Sequence, residues 1–500
     1  MSLLKNKFFA LLNSFLDHAL PIAALVLLVF IPLYPKFPAL DVPGTYVKIR
    51  VDDFLVAAAL FLTLLKFLIN RQKAMKVGIN RAIILYWVVG GVSLLGAIFS
   101  LQLVFPHLAI LHFLRRIEYM GLFFLGFFAL RKKKEFDVFL NGLFLATFLV
   151  FIYGLGQKFF GWPVVSTMNE EFSKGMLLRL DVWVRVSSTF AGHYDLAAFL
   201  SLVLPLILAS LIKSHYRTKQ ILLGFLYFFA YYLLLNTASR VSFVAYLIAI
   251  FCLLIFLNKK WLIIPVVGLS LLGMLFSEDI TQRFAATIKI EAPRLAARLE
   301  KTLDFLSPQG SSRTSFFPTP IPSPTPALTP SPTPLTVVTK VTPGGSRPTP
   351  TPTPTPTPLS SEEEFWEAQK SVELGVERSG GIRFDYEWPR ALNHFKKSPL
   401  LGTGFSSLGL ATDNDYLRAL GETGLLGLLS FLLIFLEGLK LILEKGKKSW
   451  QAQAMSASAL AMLANACFID VFEASKVAYI FWLLLGLTVG YLNDEHPKNS

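Results

Sequence analysis

Apolar residues gather into twelve blocks, each roughly the length of a bilayer-crossing helix, separated mostly by short polar connections. The blocks run over 18–35, 52–69, 82–104, 112–130, 136–156, 193–212, 220–236, 241–257, 261–276, 422–441, 453–471 and 475–492. Within them the apolar residues are continuous rather than alternating. That predicts helices and excludes barrel strands. A helix satisfies its own backbone hydrogen bonds, as a segment crossing lipid must. The expected fold class is therefore an all-α polytopic membrane protein with about 12 transmembrane helices.

The connections orient the blocks. Basic residues follow every even-numbered block up to the tenth: Arg71, Lys73, Lys76 and Arg81; Arg131, Lys132, Lys133 and Lys134; Lys213, Arg217 and Lys219; Lys259 and Lys260; Lys445, Lys447 and Lys448. Lys and Arg collect in cytoplasmic loops, so both termini are expected in the cytoplasm. The opening, with Lys5 and Lys7 before the apolar run from Ala19, resembles a signal peptide. More spans follow and no small-residue cleavage site is evident, which predicts an uncleaved first span.

Two long connections, 157–192 and 277–421, then face away from the cytoplasm. The longer one is composite. Membrane domain 1–276 (nine spans) is followed by an amphipathic helical part, 277–317, with helix expected over 279–306. There Phe284, Ile288, Leu295, Leu299 and Phe305 interleave with Arg283, Lys289, Arg294 and Arg298. Such a helix suits either the membrane surface or packing within the loop. Residues 318–358 collapse to Pro, Thr and Ser, a composition that builds no core and predicts a disordered linker or polyproline-II spacer. Residues 359–421 restart order at Ser361 with a capping-box-like Ser-Glu-Glu-Glu. The last three spans and a cytoplasmic tail occupy 422–500.

Composition agrees: 54% of 500 residues are hydrophobic, 16% are charged, and mean hydropathy is +0.55. Soluble domains are nearer half apolar and a quarter charged. The net charge of +14 would suit a nucleic-acid binder, but the basic residues lie in the short loops that set orientation, so none is expected. Cys252 and Cys467 both fall inside apolar blocks, without CxxC or metal spacing, and the large loop has no cysteine to staple it. HExxH, Walker A and GxSxG patterns are absent, and neither metal nor cofactor is expected.

Ionisable residues at the edge of a span are costly and therefore informative. Arg185, His193 and Asp195 lead into the sixth block; Arg240 ends the turn Asn236-Thr-Ala-Ser-Arg, where orientation does not explain it. Beyond the linker come Arg383-Phe-Asp-Tyr-Glu-Trp-Pro-Arg, then a turn through Gly402 and Gly404, then Asp413-Asn-Asp-Tyr-Leu and Glu422-Thr-Gly424 with Gly427. Arg185, Arg240 and Arg383 are expected to converge beside carboxylates, as a guanidinium site for a lipid-linked pyrophosphate. Singly, each arginine also suits an interfacial anchor, His193 a hydrogen-bonded interfacial ring, and Asp413 a helix N-cap. Arg115, Arg116 and Glu118 are expected to pair among themselves, or Glu118 to line a cavity.

These segments resemble the bacterial O-antigen ligases and O-antigen or teichuronic-type polysaccharide polymerases. The likeness rests on Arg185 through Ala197, Thr237-Ala-Ser-Arg240, Arg383 through Gly404, Asp413-Asn-Asp-Tyr-Leu and Glu422-Thr-Gly424 with Gly427, over a general layout spanning 80–495. It implies a C-type glycosyltransferase-like fold in the bacterial plasma membrane. It also implies transfer of a glycan from a polyprenyl-pyrophosphate donor to an acceptor hydroxyl on the outer face. Arg240 and Arg383 match the arginines that hold pyrophosphate in that family. Asp413 stands where many ligases carry a histidine before Asn, which weakens a lipid-A-core ligase assignment. The expected catalytic residues are Asp413 and Arg240, with His193 or Asp195 as other candidates for orienting the hydroxyl. Arg185, His193, Asp195, Arg383 and Asn414 are the expected substrate-binding residues. The rivals are a secondary transporter or lipid-linked glycan flippase, and a surface-display protein whose working part is the Pro/Thr segment.

Overall fold

The computed structural model describes residues 2–35, 37–40, 49–165, 177–178, 185–277, 279–290, 380–409 and 411–493. The Pro/Thr segment, the start at Ser361 and the part of the amphipathic helix beyond 290 lie outside the described residues. The chain forms two compact units, Met1–Ile288 with Val372–Ser500, and Lys289–Ser371. Only Lys289 and Ile290 of the second are described.

The first unit is a helical bundle. Its helices are α1 (Ser2–Leu33), α2 (Val51–Ile69), α3 (Gly78–Leu95), α4 (Pro106–Ala129), α5 (Phe136–Phe160), α6 (His193–Lys213) and α7 (Arg217–Asn236). They continue with α8 (Arg240–Phe256), α9 (Ile263–Leu275), α10 (Asp279–Ile290, whose last two residues fall in the second unit), α11 (Trp388–Lys397), α12 (Asp415–Leu441), α13 (Trp450–Asn465) and α14 (Ser475–Asn493). Two antiparallel strand pairs, Pro38–Leu40 with Ile49–Arg50 and Val164–Val165 with Leu177–Leu178, sit in connections. Each apolar block lies mostly on one of these helices; the third continues from α3 through a π-helical stretch, Gly96–Leu101. Among the described residues, seven are long and apolar enough to cross a membrane, or eight if the bent pair Lys260–Leu275 and Asp279–Ile290 is one span. The chain is thus an all-α, membrane-embedded protein. Charge rather than length sets α2 and α4 apart: α2 carries Asp52, Asp53 and Lys66, and α4 carries Arg115, Arg116 and Glu118.

The eleventh block is shorter as helix than its apolar run. Helix α13 stops at Asn465, and the following turn carries Cys467 and Asp470. Helix α1 conversely starts well before its block, at Ser2. Helix α10 packs on the bundle: Ile280 and Ala286 are buried and the Phe284 ring meets Phe243 of α8 at 6.2 Å.

Helices α6 and α14 are buried almost all round, as befits the centre of a bundle. Helix α14 lies along α4 at backbone contact. A Cβ on Gly486 would stand 2.0 Å from the Phe123 carbonyl oxygen, and one on Gly126 2.3 Å from that of Leu483. Without water to squeeze out, membrane helices associate through such close packing of small residues. At one end of the bundle lie the basic connections. There Lys66 reaches Asp17 at 2.5 Å and Lys133 stands over Tyr491. The other end carries the segments singled out above.

Helix α12 is broken at Gly424 (φ 67°, ψ −167°). This leaves backbone groups open inside the bundle, and the segment 399–404 closes them strand-fashion. Thr403 N–H donates to Gly421 O (3.0 Å) and Gly404 N–H to Glu422 O (2.8 Å), while Leu425 and Leu426 N–H donate to Pro399 and Leu400 carbonyls. Ser93 Oγ on α3 adds bonds to Leu401 O and Glu422 O. Non-helical backbone at membrane depth persists where protein satisfies it in this way. Gly402 and Gly404 have φ of 69° and 90°, the tight turn their sequence predicts.

Candidate functional site

The site is assembled where α6 and α8 begin and α7 ends. The turn between α7 and α8 passes through Ala238 (φ 49°), and Ser239 caps α8 by accepting from Ser242 N–H, which sets Arg240 at the first helical position. Val186 N–H donates to Asn236 O (3.2 Å), tying the segment before α6 to the end of α7. Ser242 Oγ donates to Asn465 Oδ1 at 2.7 Å, tying α8 to α13.

The three arginines expected to converge share one neighbour, Tyr194. Arg185, Arg240 and Arg383 all lie within electrostatic reach of its hydroxyl, and the Arg185 guanidinium stands 5.9 Å from its ring centroid. A fourth, Arg283 on α10, lies within reach of both Arg185 and Arg240, and its carbonyl accepts from Arg240 Nη1 at 3.3 Å. Arg185 donates to His193 Nε2, so this ring is neutral with its proton on Nδ1. Its basic nitrogen is taken. Asp195 sits in the first turn of α6, where a carboxylate complements the helix dipole.

Arg383 is buried in a π-helical turn, Ile382–Glu387, that leads into α11. Its Nε and Nη2 both donate to Asp413 Oδ2, at 2.9 and 2.8 Å. Asp413 has φ 50° and is not the cap of α12. Asn414 is: its side chain accepts from Leu417 N–H and its amide donates to Cys467 O. Asn414, expected among the substrate-binding residues, thus has one amide N–H and one oxygen lone pair engaged by backbone. Burial raises the Asp413 carboxyl above its ordinary range, with Asp470 adding to this and Arg383 opposing it.

Behind the arginines runs a buried ionic chain. Asp470 accepts backbone N–H from Thr412, Asp413 and Asn414 and pairs with Arg418 at 2.8 Å. Arg418 reaches Glu422 at 3.5 Å, Glu422 faces Arg116 at 3.9 Å, and Arg116 pairs with Glu473. Alongside, Arg50 pairs with Asp52 (3.1 Å) and Asp53 (3.6 Å), and Arg115 with Asp53 (3.3 Å). Thus Arg115 and Arg116 find their carboxylates on other elements, rather than only within their own helix. Buried charges are tolerated when paired in this manner, and the chain ties the 411–415 segment to α4 and the α13–α14 turn.

Among the residues of this region that the sequence did not single out are Arg283 and Glu387. Arg283 belonged to an amphipathic pattern, and only the 89° bend between α9 and α10 turns it toward Arg185 and Arg240. Glu387 lies four residues after Arg383 and is 8% exposed. Its spacing from Arg383 was the available signal. Among the described residues, no group of three or more His, Cys, Asp or Glu is arranged to hold a metal ion.

No protein-family model matches the chain, and no curated protein matches it significantly.

Proposed function

We propose that the protein is a membrane glycan transferase, of the O-antigen ligase or polysaccharide polymerase type. It moves a glycan from a polyprenyl-pyrophosphate donor to an acceptor hydroxyl. The observation that carries this reading is the gathering of Arg185, Arg240 and Arg383 around Tyr194, with Arg283 beside them. Arg283 meets the like charges of Arg185 and Arg240, and a polyanion relieves such repulsion while accepting bidentate hydrogen bonds. A departing pyrophosphate gains charge as its bond to the sugar breaks, so the same donors favour the transition state over the ground state.

In this reading all twelve apolar blocks cross the bacterial plasma membrane, both termini are cytoplasmic, and the arginines face outward. Basic connections at the opposite end of the bundle support that orientation. The test is extension of lipid-linked oligosaccharide in membranes. Correctly inserted Arg240→Ala and Arg383→Ala variants are expected to lose transfer by about a hundredfold or more. Full transfer by both overturns the site.

The break in α12 beside buried Arg418 and Glu422 favours a second reading, a secondary transporter or lipid-linked glycan flippase, because such proteins bind substrates at discontinuous helices. Against it, the backbone groups freed around Gly424 are bonded to 399–404 rather than presented to a ligand. Counterflow of lipid-linked glycan in vesicles separates the two readings.

A further inference from the structure

Glu387 lies within electrostatic reach of two other carboxylates, Asp413 and Asp470, and of Arg383. Those two carboxylates are committed. Asp413 takes both Nε and Nη2 of Arg383 on one oxygen. Asp470 is held by three backbone N–H groups and Arg418. The third is not. Glu387 is more than nine-tenths buried, and its Oε2 has no hydrogen-bond partner among the described residues. A buried carboxylate oxygen left so costs free energy that a ligand hydroxyl would recover.

The neighbourhood has the same character. Arg390 donates Nη2 to Ala411 O at 2.7 Å, which brings α11 against the 411–413 segment. Arg390 Nε and Thr412 Oγ1 are likewise buried without partners among the described residues, as is Trp388 Nε1. Donors and one strong acceptor together suit a hydroxyl-rich ligand such as a sugar.

We propose that Glu387 is the catalytic base of this site, and that Arg390 and Thr412 beside it orient the acceptor sugar. The inference rests on the transferase reading. In the step, the acceptor hydroxyl oxygen forms a bond to the anomeric carbon of the donor. The bond from that carbon to the pyrophosphate oxygen breaks, and the pyrophosphate keeps the electron pair. The hydroxyl proton passes to the Glu387 carboxylate. Arg383, one turn away in the same π-helical stretch, faces the leaving group and is positioned by Asp413. Asp413 is thereby a positioning residue rather than the base.

The electrostatics agree with this division. Burial pushes the Glu387 carboxyl up to about 7, and the Asp413 and Asp470 carboxylates add to the rise. Arg390 from α11 and Arg383 from its own turn oppose it. Groups whose surroundings drive their proton affinities apart take different roles, and a base works best when its pKa lies near the working pH.

The experiment uses the full chain in proteoliposomes, with lipid-linked oligosaccharide extracted from the producing cells as both donor and acceptor. Wild-type transfer is expected to rise about tenfold per pH unit below 7 and to level off above it. Glu387→Gln should lose about a hundredfold or more in kcat, together with that pH dependence, while KM changes little. Glu387→Asp should recover part of the rate and a pH limb. Independently of activity, wild-type minus Glu387→Gln infrared difference spectra should show one carboxylic acid band that titrates near pH 7. Transfer by Glu387→Gln at the wild-type rate, or no such band, overturns the role of Glu387 alone. Wild-type vesicles that contain the band but carry out no transfer overturn the transferase reading, and the role with it.

Discussion

Arg383 and Asp413 stand 30 residues apart in sequence and share a single carboxylate oxygen, which accepts from Nε at 2.9 Å and from Nη2 at 2.8 Å. The pair joins the π-helical turn before α11 to the loop before α12, and fixes the plane of the guanidinium. If its purpose is to aim Arg383, then Asp413→Asn should act through position and not through proton transfer. Transfer is expected to fall about tenfold, with the rising pH limb retained because it belongs to Glu387, but displaced to lower pH because the Asp413 charge that helps to raise that carboxyl is gone. A pH–rate profile of the variant checks this; loss of the limb would return the base to Asp413.

Arg283 supplies a second prediction. It lies close to Arg185 and Arg240, yet sits on α10 beyond the bend that follows α9. Its guanidinium adds to the positive field that a pyrophosphate meets. Arg283→Ala is expected to weaken binding of polyprenyl pyrophosphate by about tenfold, the scale of one charge-assisted hydrogen bond. Titration of the purified protein with the lipid measures it. An unchanged affinity removes Arg283 from the site.

How much of this was legible in the sequence follows from what each residue type costs in a membrane. Arg240 and Arg383 stood out because a span-edge arginine away from the basic loops needs a reason, and both lie in the cluster. The helices were legible from continuous apolar runs. Partnerships across elements were not. Nothing local connects Asp53 to Arg115, 62 residues on, or Thr412, Asp413 and Asn414 to Asp470. The Glu-Thr-Gly at 422–424 marked a glycine but not a broken helix, since the break depends on segment 399–404 lying alongside to satisfy it. Glu387 offered only its four-residue spacing from Arg383; its burial is a tertiary fact.

The break itself is testable. Gly424 has φ 67° and ψ −167°, a combination that only glycine adopts without strain, and a Cβ there would lie 2.4 Å from the Leu400 carbonyl carbon and oxygen. Gly424→Ala therefore combines backbone strain with a backbone clash that no side-chain rotation relieves. A loss of about 3 kcal/mol or more is expected, in the range where folding itself fails. Size-exclusion profiles and thermal midpoints in detergent check it. A variant as stable as wild type would mean that α12 runs through without the break.

Glu387 makes a last prediction, on stability rather than rate. Its carboxyl is pushed up to about 7 in the folded protein against an ordinary value of 4.5. Between those values the folded state holds a proton that the unfolded state has released, so stability falls as pH rises through that window. The cost is fully present above pH 7, where the buried carboxylate is ionised within reach of the Asp413 and Asp470 charges. Glu387→Gln keeps the shape and removes the charge. The variant is expected to have a higher thermal midpoint than wild type at pH 8 and no advantage at pH 4.5. Its gain should shrink when a sugar acceptor is added, because a bound hydroxyl would satisfy the wild-type carboxylate. Thermal scans in detergent at the two pH values decide it: an equal shift at both would show that the effect is packing and not ionisation.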